Sequence, residues 1–316
     1  MSPNIQKSFL DIEQLSQQVS RTKIDYCEVI QSGQVLFTHT RNSHSKDKLH
    51  KINSVTKSVL SLLIGIAIDR GELENIEASI SDYFPDVKQT LKQDVTIEHL
   101  LTMTPGWDWQ EMGDWGGLPS PMINSPNWVN FILAQPMKYS PGKRMFYDSG
   151  CSHLLSAILQ KVTGLKTAEY AEKYLFKPLG IEQYRWYSDA KGIVIGGFGL
   201  ELKAPDLMKI GKLALGKGYL NGSRIVPERW IADSTNAHHH TYDHIGSYGY
   251  HWWIVASDDK PTSPACYFAM GYGGQYIFVV PEHELIAVFA STLYKHTFLP
   301  YRLFKELIYS RLIQAK

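Results

Sequence analysis

Strand-like and helix-like segments lie in separate parts of this 316-residue chain, and this separation is the feature that most restricts its fold. Runs rich in β-branched and aromatic residues occur at 26–30 and 35–38 and again after position 247. From about 80 to 235 the pattern is typical of helices and loops. Segregated strands and helices favour an α+β fold over a βαβ fold. We therefore expect one antiparallel sheet built from both ends of the chain, with a mostly helical region inserted beside it.

Hydrophobic periodicity predicts the individual elements. Helices are expected at both ends, over 5–19 and 300–312, and Ser32-Gly33 predicts a hairpin between the first two strands. The segment 54–69 predicts a helix that is apolar almost all round and therefore buried. The other predicted helices cover 96–103, 127–133, 152–163, 168–176 and 205–215, and the later strands 248–255, 266–269, 276–280 and 285–290. We expect residues 1–80 and 235–316 to form the sheet part, and 81–234 the helical part, of one continuous unit.

Charge and cysteine content restrict the partners. The net charge of +1 predicts no binding to nucleic acid or to an acidic membrane, so a small-molecule partner is expected. The first thirty residues show no signal-peptide core, and 59–68 is too short to cross a bilayer. Cys27, Cys151 and Cys266 have no metal-like spacing and cannot all pair. We expect a cytoplasmic protein with reduced thiols and no metal or organic cofactor; the sequence carries no signal for an oligomeric state.

Ser54 and Lys57 are the first candidates for chemistry. Positions i and i+3 share one face of a helix, so the hydroxyl and the amine can meet. Ser54 stands at the predicted helix start, where free N–H groups favour developing negative charge. A serine needs such help to become a nucleophile, and a lysine acts as a base only where its surroundings favour the neutral amine. By itself, the pattern fits equally a Ser54 that caps a core helix and a Lys57 that reaches out to water.

Four later stretches place that pattern in a wider context. In chain order they are 100–106 (LLTMTPG), 141–150 (PGKRMFYDSG), 196–207 (beginning GGFGL) and 271–275 (GYGGQ). Together with 53–58 (NSVTKS), they closely resemble the motifs of the serine β-lactamase, penicillin-binding-protein and esterase superfamily. The resemblance spans about 25–312 and is strongest to the class C-like branch, which includes class C-type esterases and 6-aminohexanoate-dimer hydrolases. It implies a β-lactamase/transpeptidase-like fold.

The resemblance also implies roles for particular residues. Tyr147 matches the tyrosine of the second motif and would move protons together with Lys57, so that the two act as general base and acid for Ser54. The oxyanion hole would use the backbone N–H groups of Ser54 and Gln275. Without the resemblance, an isolated tyrosine such as Tyr147 beside a Pro-Gly turn is more often a buried anchor. The alternative for 271–275 is a plain hairpin turn.

Two departures from the family pattern bear on the substrate. Ser149 stands where the second motif usually has Asn, and Tyr272 stands where the third usually has Lys or His. Losing that cation removes a charge-assisted contact to a substrate carboxylate, worth roughly 1.5–3 kcal/mol. Ser149, Tyr272, Gly273 and Gly274 are expected to contact substrate, the two glycines by letting an edge strand approach it closely.

Tryptophans follow the first inserted helix, at Trp107, Trp109, Trp115 and Trp128. They are expected either to line a substrate pocket, Trp107 and Trp109 above all, or to fill a satellite core. The sequence thus predicts a serine hydrolase that cleaves a small ester or amide through a Ser54 acyl-enzyme. The alternatives are a β-lactamase or D-alanyl-D-alanine carboxypeptidase, which would take a β-lactam or peptide, and a non-catalytic penicillin-recognising protein.

Overall fold

The main sheet joins the two ends of the chain. The computed structural model describes residues 10–109, 111, 119–243, 245–256 and 264–314. The strands in this part of the chain are β1 (Ile24–Gln31), β2 (Gln34–Thr40), β3 (Leu49–Lys51), β4 (Tyr184–Trp186), β5 (Leu200–Lys203), β6 (Tyr219–Leu220), β7 (Ser223–Arg224), β8 (His239–His240), β9 (Ser247–Tyr248), β10 (Trp253–Ala256), β11 (Pro264–Gly271), β12 (Gln275–Val280) and β13 (Leu285–Ser291).

The helices of the described residues flank this sheet and fill the middle of the chain. They are α1 (Ile12–Ser20), α2 (Val55–Asp69), α3 (Ile97–Leu101), α4 (Ser120–Ile123), α5 (Trp128–Leu133), α6 (Ser149–Thr163), α7 (Thr167–Ala171), α8 (Lys177–Leu179), α9 (Ala204–Leu215), α10 (Glu228–Ser234), α11 (Leu299–Leu303) and α12 (Ser310–Gln314). Single π-helical segments, Glu172–Phe176 and Phe304–Tyr309, connect α7 to α8 and α11 to α12. Short 3-10 turns lie at Ile80–Asp82, Pro85–Val87, Leu91–Asp94 and Pro281–His283.

Strand pairing confirms the α+β prediction. The order in the main sheet, within the described residues, is β2-β1-β13-β12-β11-β10-β9-β8, and its paired neighbours are antiparallel. β1, from the start of the chain, pairs with β13, from its end, with Cys27 opposite Phe289. The expected hairpin at Ser32-Gly33 connects β1 to β2, and both turn residues have positive φ. The sheet core is therefore closed only when both ends of the chain are in place.

α2 is the central helix. Each residue from Val55 to Ala67 is buried, as expected for a helix that is apolar almost all round. It packs against α6 and α10 on one side and against β11 and β12 on the other. The helix ends at Arg70, and Gly71 follows in the left-handed conformation at φ +69, with its N–H donating to Ile68 O. Full burial keeps the first turn of α2 in one place.

The structure differs from the expected strands in two places. The strand predicted over 248–255 is interrupted, because the chain leaves the sheet between β9 and β10. There His251 has φ +63, and its backbone N–H donates to Leu101 O, next to the helical region. A second, three-stranded sheet in the order β3-β5-β4 was not expected, since its strands are only three or four residues long.

The predicted sheet part and the predicted helical part of the chain pack against each other. α9, from the predicted helical part, lies on β12 and β13, and a Cβ added at Gly211 would come within 2.7 Å of Ile286 Cγ2. One apolar cluster includes both Tyr26 of β1 and Trp128 of α5. The division at 80 and 235 therefore stays a prediction. None of the helices in the described ranges has the length and apolar character needed to cross a membrane.

Gly65 offers a test of how tightly α2 is held. A Cβ at this position would lie 2.3 Å from Cγ of Trp230, which packs from α10. We expect Gly65→Ala to destabilise the protein by roughly 1–3 kcal/mol through overpacking, measured by urea unfolding. Ser61→Ala, one turn earlier, is the control, because the buried Ser61 Oγ has no hydrogen-bond partner among the described residues. Equal stability of the two variants would contradict tight packing at Gly65.

Candidate active site

Ser54 lies at the junction of β3 and α2. The preceding Asn53 has φ +46, an unfavourable conformation for a residue with a side chain, and its Nδ2 donates to Tyr272 O at 2.5 Å. This contact ties the start of α2 to the turn between β11 and β12. Ser54 is the N-cap residue, but its side chain makes no capping hydrogen bond. Its hydroxyl is therefore available for another partner.

That partner is Lys57, one helical turn along α2. Its side chain is buried, with only 1% of its surface exposed, so it does not reach out to water. Nζ donates to Ser54 Oγ at 3.1 Å, to Ser149 Oγ at 2.9 Å and to Gly197 O at 2.7 Å. Three acceptors match the three protons of an ammonium group, and they offset the cost of burying its charge.

Tyr147 approaches the same amine from the segment before α6. Lys57 Nζ lies 4.7 Å from the centre of the Tyr147 ring, within cation–π range. The ring stacks on Trp253 of β10 with its centre 5.7 Å away and the planes 16° apart, and Tyr248 meets it edge-on. Ser54 and Tyr147 line one cavity. The structure thus brings the three residues that the sequence singled out into a single group.

Glu111 was not predicted and lies directly behind this group. It is buried, at 3% exposure, and binds Ser149 twice. Ser149 N–H donates to Glu111 Oε2 at 2.5 Å, and Ser149 Oγ–H donates to Oε1 at 2.8 Å. Burial raises the pKa of Glu111 to about 7, although the nearby Lys57 charge acts in the opposite direction. The sequence offered one signal for it, an acidic residue within a tryptophan-rich stretch.

Asp148 is a second buried carboxyl group beside Lys57. Its Oδ2 accepts from Trp107 Nε1–H at 2.8 Å and from Cys151 Sγ–H at 3.2 Å, and its Oδ1 accepts from Gly150 N–H at 2.7 Å. Burial raises its pKa, while these hydrogen bonds and Lys57 lower it. Asp148 therefore caps α6 and anchors the backbone between Tyr147 and Ser149.

A cavity of about 260 Å³ opens above Ser54. Most of its wall is aromatic or aliphatic, and among the described residues that line it none is a lysine, arginine or histidine. The described lining residues are Ser54, Glu111, Tyr147, Tyr242, Ile245, Trp253, Met270, Tyr272, Thr297 and Phe298. Tyr272 is exposed at the rim, where its ring packs against Tyr294 with the centres 5.4 Å apart.

The 271–275 turn is built differently from the expectation. β12 lies between β11 and β13, so the strand that follows the glycines is not an edge strand. Gly273 and Gly274 have φ of +85 and +86, and a Cβ at Gly273 would lie 2.9 Å from the Tyr294 ring. Turn conformation and packing therefore explain the glycines. The Gln275 side chain is buried and bonds to Ser291, so it points away from the cavity wall that the described residues form.

Several predicted contact residues lie away from the cavity surface. Ser149 is fully buried, with its hydroxyl between Lys57 and Glu111. Trp107 and Trp109 are buried as well, Trp109 edge-on to Phe131, and the described cavity wall includes neither; this fits the core alternative. Trp115 falls outside the described residues. The described ranges contain no group of three or more side chains that could hold a metal ion.

Comparison with known proteins shows the family of this chain. A family model described as Beta-lactamase matches residues 26–303. The chain belongs to this family. Within the family it is a serine hydrolase, and it is 23% identical over 299 residues to the 6-aminohexanoate-dimer hydrolase of Paenarthrobacter ureafaciens, covering 88% of this chain and 75% of that protein.

Solved structures of other proteins share the fold. EstCE1, a hydrolase with promiscuous acyltransferase activity, has a TM-score of 0.76 at 16% identity, with 95% of this chain and 97% of that chain covered. A penicillin-binding protein from Bacillus halodurans has a TM-score of 0.70 at 21% identity, with 88% and 95% covered. The predicted fold and family are thus confirmed.

The raised pKa of Glu111 makes stability depend on pH. Because the pKa rises from 4.5 to about 7 in the folded protein, the stability that protonation contributes is complete below about pH 4.5 and is lost as the pH rises through about 7. Between those limits we expect the unfolding free energy to fall by about 3 kcal/mol relative to that of Glu111→Gln, measured by urea unfolding. A constant difference between the two proteins across this range would contradict the assignment.

Proposed function

We propose that this member of the β-lactamase family hydrolyses a small, uncharged ester or amide through an acyl-enzyme on Ser54. The observation that carries the proposal is the buried Lys57 amine, hydrogen-bonded to the Ser54 hydroxyl at the base of a mostly apolar cavity. A serine hydroxyl bonded to a buried amine beside a ligand-sized space is the arrangement that nucleophilic catalysis requires.

In the acylation step, Ser54 Oγ attacks the substrate carbonyl carbon and loses its proton. Lys57 is hydrogen-bonded to that hydroxyl and takes the proton. Tyr147, whose ring lies against the Lys57 amine, is the second proton carrier, and the two act as one coupled pair. The same pair returns the proton to the leaving oxygen or nitrogen when the tetrahedral intermediate collapses. Water then attacks the acyl-enzyme by the reverse sequence and releases the acid.

The negative charge of the tetrahedral intermediate needs its own donors. Ser54 N–H, at the first turn of α2, and Gln275 N–H, at the start of β12, are the proposed oxyanion hole. The Asn53 side chain holds these two elements together through Tyr272 O. Two fixed N–H donors at this position would account for a large part of the rate enhancement.

The cavity wall supports an uncharged substrate. By the family resemblance, Tyr272 stands where a cation would bind the carboxylate of a penicillin or a peptidoglycan stem. The described wall carries no lysine, arginine or histidine side chain. The relatives include a 6-aminohexanoate-dimer hydrolase and an esterase, EstB. Ester and amide cleavage therefore fit the site better than β-lactam cleavage.

Labelling with a fluorophosphonate tests the nucleophile. We expect intact-mass analysis to show one covalent adduct on the native chain and none on Ser54→Ala. Ser61→Ala is the matched control, a buried serine on the same helix, and it should label as the native chain does.

The native chain should turn over a p-nitrophenyl ester faster than a penicillin. An adduct that persists in Ser54→Ala would refute the proposal, and rapid penicillin turnover with inert esters would reverse the substrate order.

Tyr272→Lys tests the substrate preference. A lysine at the cavity rim restores a charge-assisted contact with a substrate carboxylate, worth roughly 1.5–3 kcal/mol. We expect the second-order rate of Ser54 acylation by benzylpenicillin to rise by about 10- to 100-fold, with little change for an uncharged ester. Tyr294→Lys, at the neighbouring ring, is the control for added positive charge. An equal increase in the acylation rate for both variants would show that position 272 is not the one that binds the substrate carboxylate.

A further inference from the structure

One hydroxyl group connects the catalytic amine to a buried acid. Lys57 Nζ donates to Ser149 Oγ at 2.9 Å, and Ser149 Oγ in turn donates to Glu111 Oε1 at 2.8 Å. All three side chains are nearly inaccessible to water. The bond from Ser149 N–H to Glu111 Oε2 fixes the carboxyl group in line with the hydroxyl. The result is a continuous path for a proton from nitrogen to carboxylate.

We propose that Glu111 takes a proton from Lys57 through the Ser149 hydroxyl and so frees the amine that activates Ser54. The Nζ–H bond of Lys57 breaks as an O–H bond forms at Ser149 Oγ. The original proton of Ser149 moves to Glu111 Oε1 at the same time. An ammonium–carboxylate pair becomes an amine and a neutral carboxylic acid, with no change in total charge. Rotation about the Cε–Nζ bond then turns the Nζ lone pair towards Ser54 Oγ, where it accepts the serine proton.

The environment favours this exchange. In the ammonium form Lys57 has no lone pair, and its three protons are all used by oxygen acceptors. Burial penalises the carboxylate of Glu111, so it favours the neutral acid that the exchange produces. The raised pKa of Glu111, about 7, is consistent with a carboxyl group that accepts a proton readily. Ser149 is essential to the path, because the asparagine common at this position has no hydroxyl to pass a proton on.

Other titratable groups also face Glu111. Asp148, before α6, raises its pKa, and Lys57, on α2, lowers it. Cys151 on α6 and Tyr248 on β9 interact with its charge, and burial raises the pKa of both far above neutral pH, so both stay uncharged. Lys57 and Asp148 are therefore the charges that set the balance.

The pH dependence of kcat/KM tests this inference, which rests on the proposed Ser54 chemistry. Below about pH 7 Glu111 is already protonated and cannot accept, so kcat/KM for a p-nitrophenyl ester should rise with pH around that value. In Glu111→Gln the rise near pH 7 should be lost and kcat/KM at about pH 8 should fall about 100-fold. Glu111→Asp retains a carboxyl group and should keep the rise. Glu201→Gln is the control and should behave as the native chain, since Glu201 is a buried glutamate on β5 that pairs with Arg185 of β4.

Ser149→Ala provides an independent variant that keeps both ends of the path. Ser149→Ala should lower kcat/KM about as much as Glu111→Gln does. If thermal unfolding shows that Glu111→Gln does not fold, Ser149→Ala serves as the test instead. A folded Glu111→Gln that keeps the native pH profile, or a Ser149→Ala with native activity, would overturn the relay. If either result is found while fluorophosphonate labelling still depends on Ser54, only the relay is refuted and the proposed function is retained. Labelling that persists in Ser54→Ala would refute the proposed function itself.

Discussion

Burial of the Lys57 ammonium group is the constraint on which the rest of the site depends. A charge taken out of water costs several kcal/mol unless each of its protons finds an acceptor. The three acceptors come from the start of α2, the start of α6 and the loop at Gly197, so these segments must meet at one point. Gly197 permits the approach, since a Cβ there would lie 2.8 Å from Ser149 Cβ.

The same constraint explains the acids around the amine. Asp148 and Glu111 would be costly to bury alone. Each accepts hydrogen bonds and is attracted by the positive charge of Lys57, which lowers the pKa of both carboxyl groups. Asp148 is held by Trp107, Cys151 and the first turn of α6, and this fixes the backbone on either side of it. The tryptophan that the sequence offered as a possible substrate contact thus supports the site from behind.

The front of the site is aromatic and open. Tyr147 stacks on Trp253, and Tyr272 packs on Tyr294 at the rim, so a substrate would meet flat apolar surfaces above Ser54. Charge is concentrated below the nucleophile, whereas the wall above it is largely apolar. This separation suits a substrate whose recognition depends on shape and apolar contact, while the buried charges are reserved for moving protons.

The local patterns of the sequence determined the α+β class, the buried helix α2 and the hairpin of β1 and β2, because periodicity and turn residues are properties of neighbouring residues. The group Ser54, Lys57 and Tyr147 followed from the resemblance of several short motifs to one family. Tertiary structure alone decided the partners of those residues. Glu111 carries no motif, and it becomes part of the site only because its carboxyl group meets Ser149 at the start of α6. The three-stranded sheet and the break between β9 and β10 likewise depend on distant backbone partners. Burial and long-range hydrogen bonds arise from the packing of the whole chain, so no local pattern can specify them.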